Sequence, residues 1–216
     1  MSHYTDQAGD DYYALRKARR NDFIQEKRAD FFNKFTNDDS IVLDFGCGTG
    51  GILERLNTGK KIGVEVNPPS VAEAQSKGIE IHADTTTLPQ ESVDLFISNH
   101  ALEHVSNPFE HICGGLRALK KGGQAVLVVP AETPASKNSR LTHQDKDYHL
   151  YSWTPRTFAN LLKEAGFEVE QSYRRPIGHS RYIKPLNKVP FLYDTARTVL
   201  ATLLDRFEVI CIATKT

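Results

Sequence analysis

A chain of 216 residues, 39% hydrophobic and 25% charged, carries enough apolar material for one sizeable core and is not the composition of a disordered segment. Lys plus Arg number 27 and Asp plus Glu number 27, so no net field draws the chain to nucleic acid or to an anionic membrane. The three cysteines, Cys47, Cys113 and Cys211, have no metal-ligand spacing and make an odd count, which fits a reducing compartment better than a disulfide framework.

The first residues are polar and lack the apolar core of a secretory signal, and no apolar run approaches membrane-spanning length, so a cytoplasmic protein is expected. From Tyr12 to Phe35 the pattern is helical: Ile24, Phe31 and Phe35 repeat at helical spacing, with Asn21 or Asp22 as a cap. The basic cluster Arg16-Lys17-Ala18-Arg19-Arg20 reads as a solvated face, with contact to an acidic substrate as the second reading. Ile41 to Leu43 reads as a buried parallel strand that runs into Asp44. Gly46, Gly48, Gly50 and Gly51 follow, a turn where bare backbone approaches something closely, and Ile52 to Leu56 reads as the start of a helix whose first amides point back at the strand end. The spacing G-x-G-x-x-G would suit a dinucleotide pyrophosphate. Asp44 argues against it, because a carboxylate two residues before the first glycine repels phosphate and attracts a cation.

Ile62 to Val66 reads as the second strand, with Glu65 about twenty residues past the glycine turn, where a carboxylate can accept both hydroxyls of a ribose. Asn67-Pro68-Pro69 breaks it, and a helix is expected from Ser70 to Lys77. A third short strand, Ile79 to Asp84, leads into Thr85. The fourth strand, Val93 to Ser98, leads into Asn99-His100-Ala101-Leu102-Glu103-His104-Val105. Strands one and four flank the switch point of a doubly wound sheet, which turns Asn99 and His100 toward the ligand. Pro108 to Leu119 reads as a helix stopped by Lys120-Lys121-Gly122-Gly123, and Gln124 to Val129 as a fully buried fifth strand ended by Pro130. Residues 131–152 form a polar loop with His143 and His149, placed where an open α/β sheet puts its substrate groups. Thr154-Pro155 caps a helix to Ala165, and Phe167 to Tyr173 alternates as a half-exposed strand. A basic stretch with Arg174, Arg175, Arg181 and Lys184 follows, then a helical pattern from Phe191 to Leu204 and an apolar strand from Phe207 to Ala213.

Two of these stretches, Asp44-Phe45-Gly46-Cys47-Gly48-Thr49-Gly50 and Leu102-Glu103-His104-Val105, resemble the first and fourth motifs of the class I S-adenosylmethionine-dependent methyltransferases of the type 11-like kind. The resemblance covers roughly residues 38–173. It implies a three-layer, Rossmann-like, doubly wound α/β sheet of seven mostly parallel strands, the last antiparallel and inserted between the fifth and sixth. It implies S-adenosylmethionine as cofactor, a ligand with a sulfonium and an ammonium and no phosphate. The cofactor-binding residues it implies are Asp44, Phe45, Gly46, Cys47, Gly48, Gly50, Glu65, Val66, Asp84, Thr85, Asn99, His100 and Leu102, with Asp84 facing the adenine amino group. The chain is read as a single domain, with 1–37 a helical lid, 38–173 the cofactor core, 174–205 a substrate-side insertion and 206–216 the last strand.

Methyl transfer to a hydroxyl benefits from a base titrating near neutrality, which points to histidine. His100 is placed best for this, then His149 and His143. His100, Glu103 and His104 also share one face if helical. Methyltransferases with a metal there carry Glu where this chain has His100, so no metal is expected. The expected activity is methylation of a small-molecule or saccharide-type hydroxyl, with an N- or C-methyltransferase or a non-catalytic S-adenosylmethionine-binding module as alternatives. The expected partner is a small-molecule acceptor, with neither nucleic acid nor membrane, and a homodimer is compatible with the reading.

Overall fold

The computed structural model describes residues 6–18, 21–134, 148–177 and 183–216. His143 and Arg181 lie outside the described residues. Seven strands form one sheet: β1 Ile41–Phe45, β2 Lys60–Val64, β3 Glu80–His82, β4 Val93–Asn99, β5 Leu119–Pro130, β6 Glu168–Pro176 and β7 Phe207–Thr214. Their spatial order is β3-β2-β1-β4-β5-β7-β6. β1 pairs in parallel with both β2 and β4, and β7 pairs antiparallel with both β5 and β6. The chain therefore winds outward in opposite directions from β1 and β4, and a crevice opens beyond their carboxyl ends.

Strands covered on both faces must be apolar at every position. β5 shows it: Ala125, Leu127 and Val129 pack into one core with Leu43, Phe96 and Phe158, while Val126 and Val128 pack into a second core with Phe32, Leu53 and Ile210. Among the described residues six helices accompany the sheet: α1 Asp6–Ala18, α2 Asp22–Phe32, α3 Pro68–Gln75, α4 Pro108–Ala118, α5 Pro155–Glu164 and α6 Pro190–Leu203.

Four local expectations change. The N-terminal pattern is two helices, because Asn21 is extended and its side chain accepts from the Phe23 amide, restarting the chain as α2. Pro68 and Pro69 open α3 instead of breaking a strand, since a first-turn proline gives up an amide that has no helical partner anyway. The glycine turn is followed by one 3-10 turn, Leu53–Arg55, and no longer helix, because the chain enters β2 at Lys60. Lys120 to Gly123 lie within β5, and α4 ends at Ala118.

Candidate functional site

A cavity of about 1020 Å³ occupies the crevice beyond β1 and β4. Its inner wall is the glycine turn. Gly46 has φ 71°, and a Cβ there would lie 2.2 Å from Cβ of Ala101, so the loop after β4 presses against bare backbone. Asp44 ends β1 only 2% exposed. Burial first, and the charge of Glu65 second, push its carboxyl well above the usual carboxylate range. The same two carboxylates, after burial itself, push the Cys47 thiol up. Glu65 is held by main chain alone: its Oε2 accepts from the Gly48 amide at 2.9 Å, and its Oε1 from the Val66 and Asn67 amides at 2.8 Å each. A pocket floor with two close carboxylates and no cation between them is electrostatically suited to a cation and hostile to a pyrophosphate.

Asp84 borders the same cavity and accepts from the Thr86 amide at 2.7 Å. Partial burial opposes its ionisation, but the Thr86 hydrogen bonds and the charge of His111 outweigh it and hold the carboxyl below its ordinary value. Phe45, Gly46, Cys47, Gly48, Val66, Asn99 and His100 also line the cavity. Three of the residues implied by the resemblance are not brought there. Thr85 is fully buried under α4, facing Gly114. Leu102 is fully buried in the core. Gly50 faces Ile79 and Ala74.

His100 is not placed as a general base. It has φ 55°, in the left-handed region, and its ring reaches Glu208 on β7. Nε2 donates to Glu208 Oε2 at 2.9 Å, and Nδ1 lies 3.3 Å from Glu103 Oε1. Burial lowers its pKa, but Glu103 and then Glu208 outweigh that and raise it to about 9. An imidazolium with both nitrogens committed to carboxylates has no lone pair with which to take a proton. Glu208 in turn accepts from Arg175 at 2.6 Å, and its pKa falls to about 2: burial opposes this, and His100 and then Arg175 overcome it. The Arg175 guanidinium lies 4.0 Å from the ring centroid of Phe31 on α2, which ties that helix to the network. Spacing could not have linked His100 to an acid so far along the chain. The available signal was a lone acid in the otherwise apolar run Phe207 to Ala213.

Beyond His100 the cavity is bordered by His104, Val105, Ser106, Tyr148 and Leu150. His149 does not line it but packs edge-on against His104, with ring centroids 4.8 Å apart. The carboxylate of Glu103 and the ring nitrogens of His104 and His149 all lie within 4.8 Å of one another, a set able to hold a metal ion. Sequence reasoning missed several cavity residues, including Tyr13 on α1, Arg28 on α2, His111 on α4 and Arg206 ahead of β7.

Residues 16–172, more than half of the chain, match the family model described as a methyltransferase domain. The chain belongs to this family and carries an S-adenosylmethionine-dependent methyltransferase domain. An uncharacterized methyltransferase of Mycobacterium tuberculosis is 31% identical over 133 residues, which span 56% of this chain and 62% of that relative. The chain thus matches less than two thirds of that relative's length. Among solved structures, the complex between the Haloferax volcanii Trm112 methyltransferase activator and a methyltransferase matches with a TM-score of 0.70 at 17% identity, covering 100% of this chain and 98% of that one. Haemonchus contortus phosphoethanolamine N-methyltransferase 2 in complex with S-adenosyl-L-methionine matches with a TM-score of 0.67 at 16% identity, covering 99% of this chain and 58% of that one. At such identities the structural likenesses show the fold.

Proposed function

We propose that the protein transfers the methyl group of S-adenosylmethionine to a hydroxyl of a small-molecule or saccharide-type acceptor. The observation that carries the reading is a single cavity running from the buried Asp44 carboxylate to His104, against which His149 packs. The cofactor cations sit against Asp44, the ribose hydroxyls against Glu65 and the adenine against Asp84. The acceptor enters past Tyr148 and Leu150. The reaction is an in-line displacement: the acceptor oxygen forms a bond to the methyl carbon, the carbon–sulfur bond breaks, and sulfur keeps the electron pair. The protein contributes alignment and exclusion of water, together with a route for the hydroxyl proton. With His100 held as a donor, that route runs past the His104–His149 pair to solvent water. His104 Nδ1 lies 3.4 Å from the Tyr148 carbonyl, which fixes the orientation of the ring at this end of the cavity.

The test is calorimetry with S-adenosylhomocysteine, followed by release of that product from S-adenosylmethionine over a panel of hydroxyl and amine acceptors. Turnover on hydroxylated acceptors supports the proposal. Turnover confined to amines moves the activity to N-methylation, and tight binding without any turnover favours a non-catalytic module.

A further inference from the structure

We propose that Glu103, His104 and His149 form a binding site for one divalent transition-metal ion at the acceptor end of the cavity. Spacing along the chain points to His100, Glu103 and His104 instead. The geometry removes His100, whose two nitrogens lie 2.9 Å from Glu208 and 3.3 Å from Glu103, and brings in His149 from the segment before α5.

Four observations converge. The three ligand atoms lie within 4.8 Å of one another, and closing onto bonds of about 2.0–2.2 Å asks each to move by roughly an ångström. The Glu103 carboxylate is fully buried, and apart from the His100 ring nitrogen 3.3 Å from Oε1 its oxygens have no hydrogen-bond partner among the described residues. One imidazole shared with Glu208 leaves the buried carboxylate under-satisfied, which is costly, and a metal ion supplies a further partner. His104 turns Nδ1 to the Tyr148 carbonyl at 3.4 Å, while its Nε2 lies 3.9 Å from Glu103 Oε1. A carbonyl on one ring nitrogen is what orients the other as a ligand. The segment bearing His149 is pinned to the Leu102–His104 turn, with the Leu150 amide donating to the Glu103 carbonyl at 2.8 Å and the Tyr151 hydroxyl to the Ser106 carbonyl at 2.8 Å.

Two imidazoles and one carboxylate suit zinc, manganese, iron(II) or cobalt, and three protein ligands leave coordination positions open. One of the three ligands, His104, lines the cavity, as do Tyr148 and Leu150 on either side of His149. The ion's role rests on the methyl-transfer reading: an acceptor hydroxyl bound to it yields its proton to solvent water near neutral pH, and the same oxygen then takes the methyl group.

The test uses the full chain, stripped with a chelator and saturated with S-adenosylhomocysteine. Co²⁺ is added while visible absorption is followed, and Zn²⁺ is titrated by calorimetry. One ion per chain is expected, with Glu103→Gln and His149→Ala each weakening it by about tenfold or more. His149 is exposed, so His149→Ala keeps its fold and its affinity for S-adenosylhomocysteine. Absence of saturable 1:1 binding in protein that binds S-adenosylhomocysteine overturns the proposal, as does unchanged affinity in His149→Ala. Ion binding as expected in protein that does not bind S-adenosylhomocysteine upholds the metal site and removes the methyl-transfer reading instead.

Discussion

Asp44 and Glu208 are both buried carboxylates, and their surroundings push them in opposite directions. Asp44 has burial and Glu65 against its charge, so its pKa is raised. A raised carboxyl stabilises the folded chain below its unfolded pKa and loses that contribution as pH rises through the folded value. At neutral pH, Asp44→Asn should therefore raise the melting temperature of the cofactor-free protein while weakening S-adenosylmethionine binding by about tenfold or more, or 1.4 kcal/mol. Thermal melts and calorimetry on the same variant check both halves, and an affinity equal to the parent's would take Asp44 out of the site. Glu208, with His100 and Arg175 around it, is depressed to about 2. Its contribution is present above its unfolded value of 4.5 and is lost as pH falls toward 2. Glu208→Gln leaves two half-buried cations short of a partner and should cost about 3 kcal/mol at pH 7 in urea unfolding, with the deficit shrinking in acid. A deficit that does not shrink would place the energy in packing. At this scale chain position was enough to bring Asp44, Glu65 and Asp84 together, and all three line the same cavity. It misled at His100, because one of the two carboxylates that hold that ring's proton, Glu208, comes from β7, far along the chain.

α4 and β4 touch through bare backbone. A Cβ on Gly115 would lie 2.1 Å from the ring of Phe96, and one on Gly114 would lie 2.2 Å from Thr85 Oγ1. Phe96 is fully buried and cannot retreat without moving the sheet. Gly115→Ala should therefore cost about 1–3 kcal/mol by overpacking, despite the better helix propensity of alanine. A denaturant midpoint unchanged from the parent would mean that the helix rides outward at no cost. The strands were legible because central parallel strands must be apolar on both faces, and β1, β4 and β5 are written that way. The connections were less so. A glycine turn followed by Ile52-Leu53 looks like a helix start, and only the early arrival of β2 at Lys60 limits it to a single turn. Pro68-Pro69 looks like a break until Asn67 accepts from the Ser70 amide and makes it a helix start.

The cavity draws on nearly every layer of the molecule: Tyr13 from α1, Arg28 from α2, the turn after β1, Glu65 after β2, His111 from α4 and Arg206 ahead of β7. These parts also brace one another. The Tyr13 hydroxyl donates to Glu73 of α3 at 3.0 Å, and Arg175 of β6 stacks on Phe31 of α2. A ligand that fills the cavity touches all of them at once, so its binding energy adds to the stability of the whole fold. At a free concentration one hundred times its dissociation constant, S-adenosylhomocysteine should add about 2.7 kcal/mol. For a domain of this length that corresponds to a rise of roughly 5–11 °C in melting temperature. The slowing of amide exchange should reach α1 and α2, whose residues Tyr13 and Arg28 line the cavity from outside the motif-bearing strands. NADH at the same excess should shift nothing, because its pyrophosphate would meet Asp44 and Glu65. A shift below about 1 °C with S-adenosylhomocysteine, or protection confined to the turn after β1, would mean that the helices ahead of β1 do not close over the cofactor.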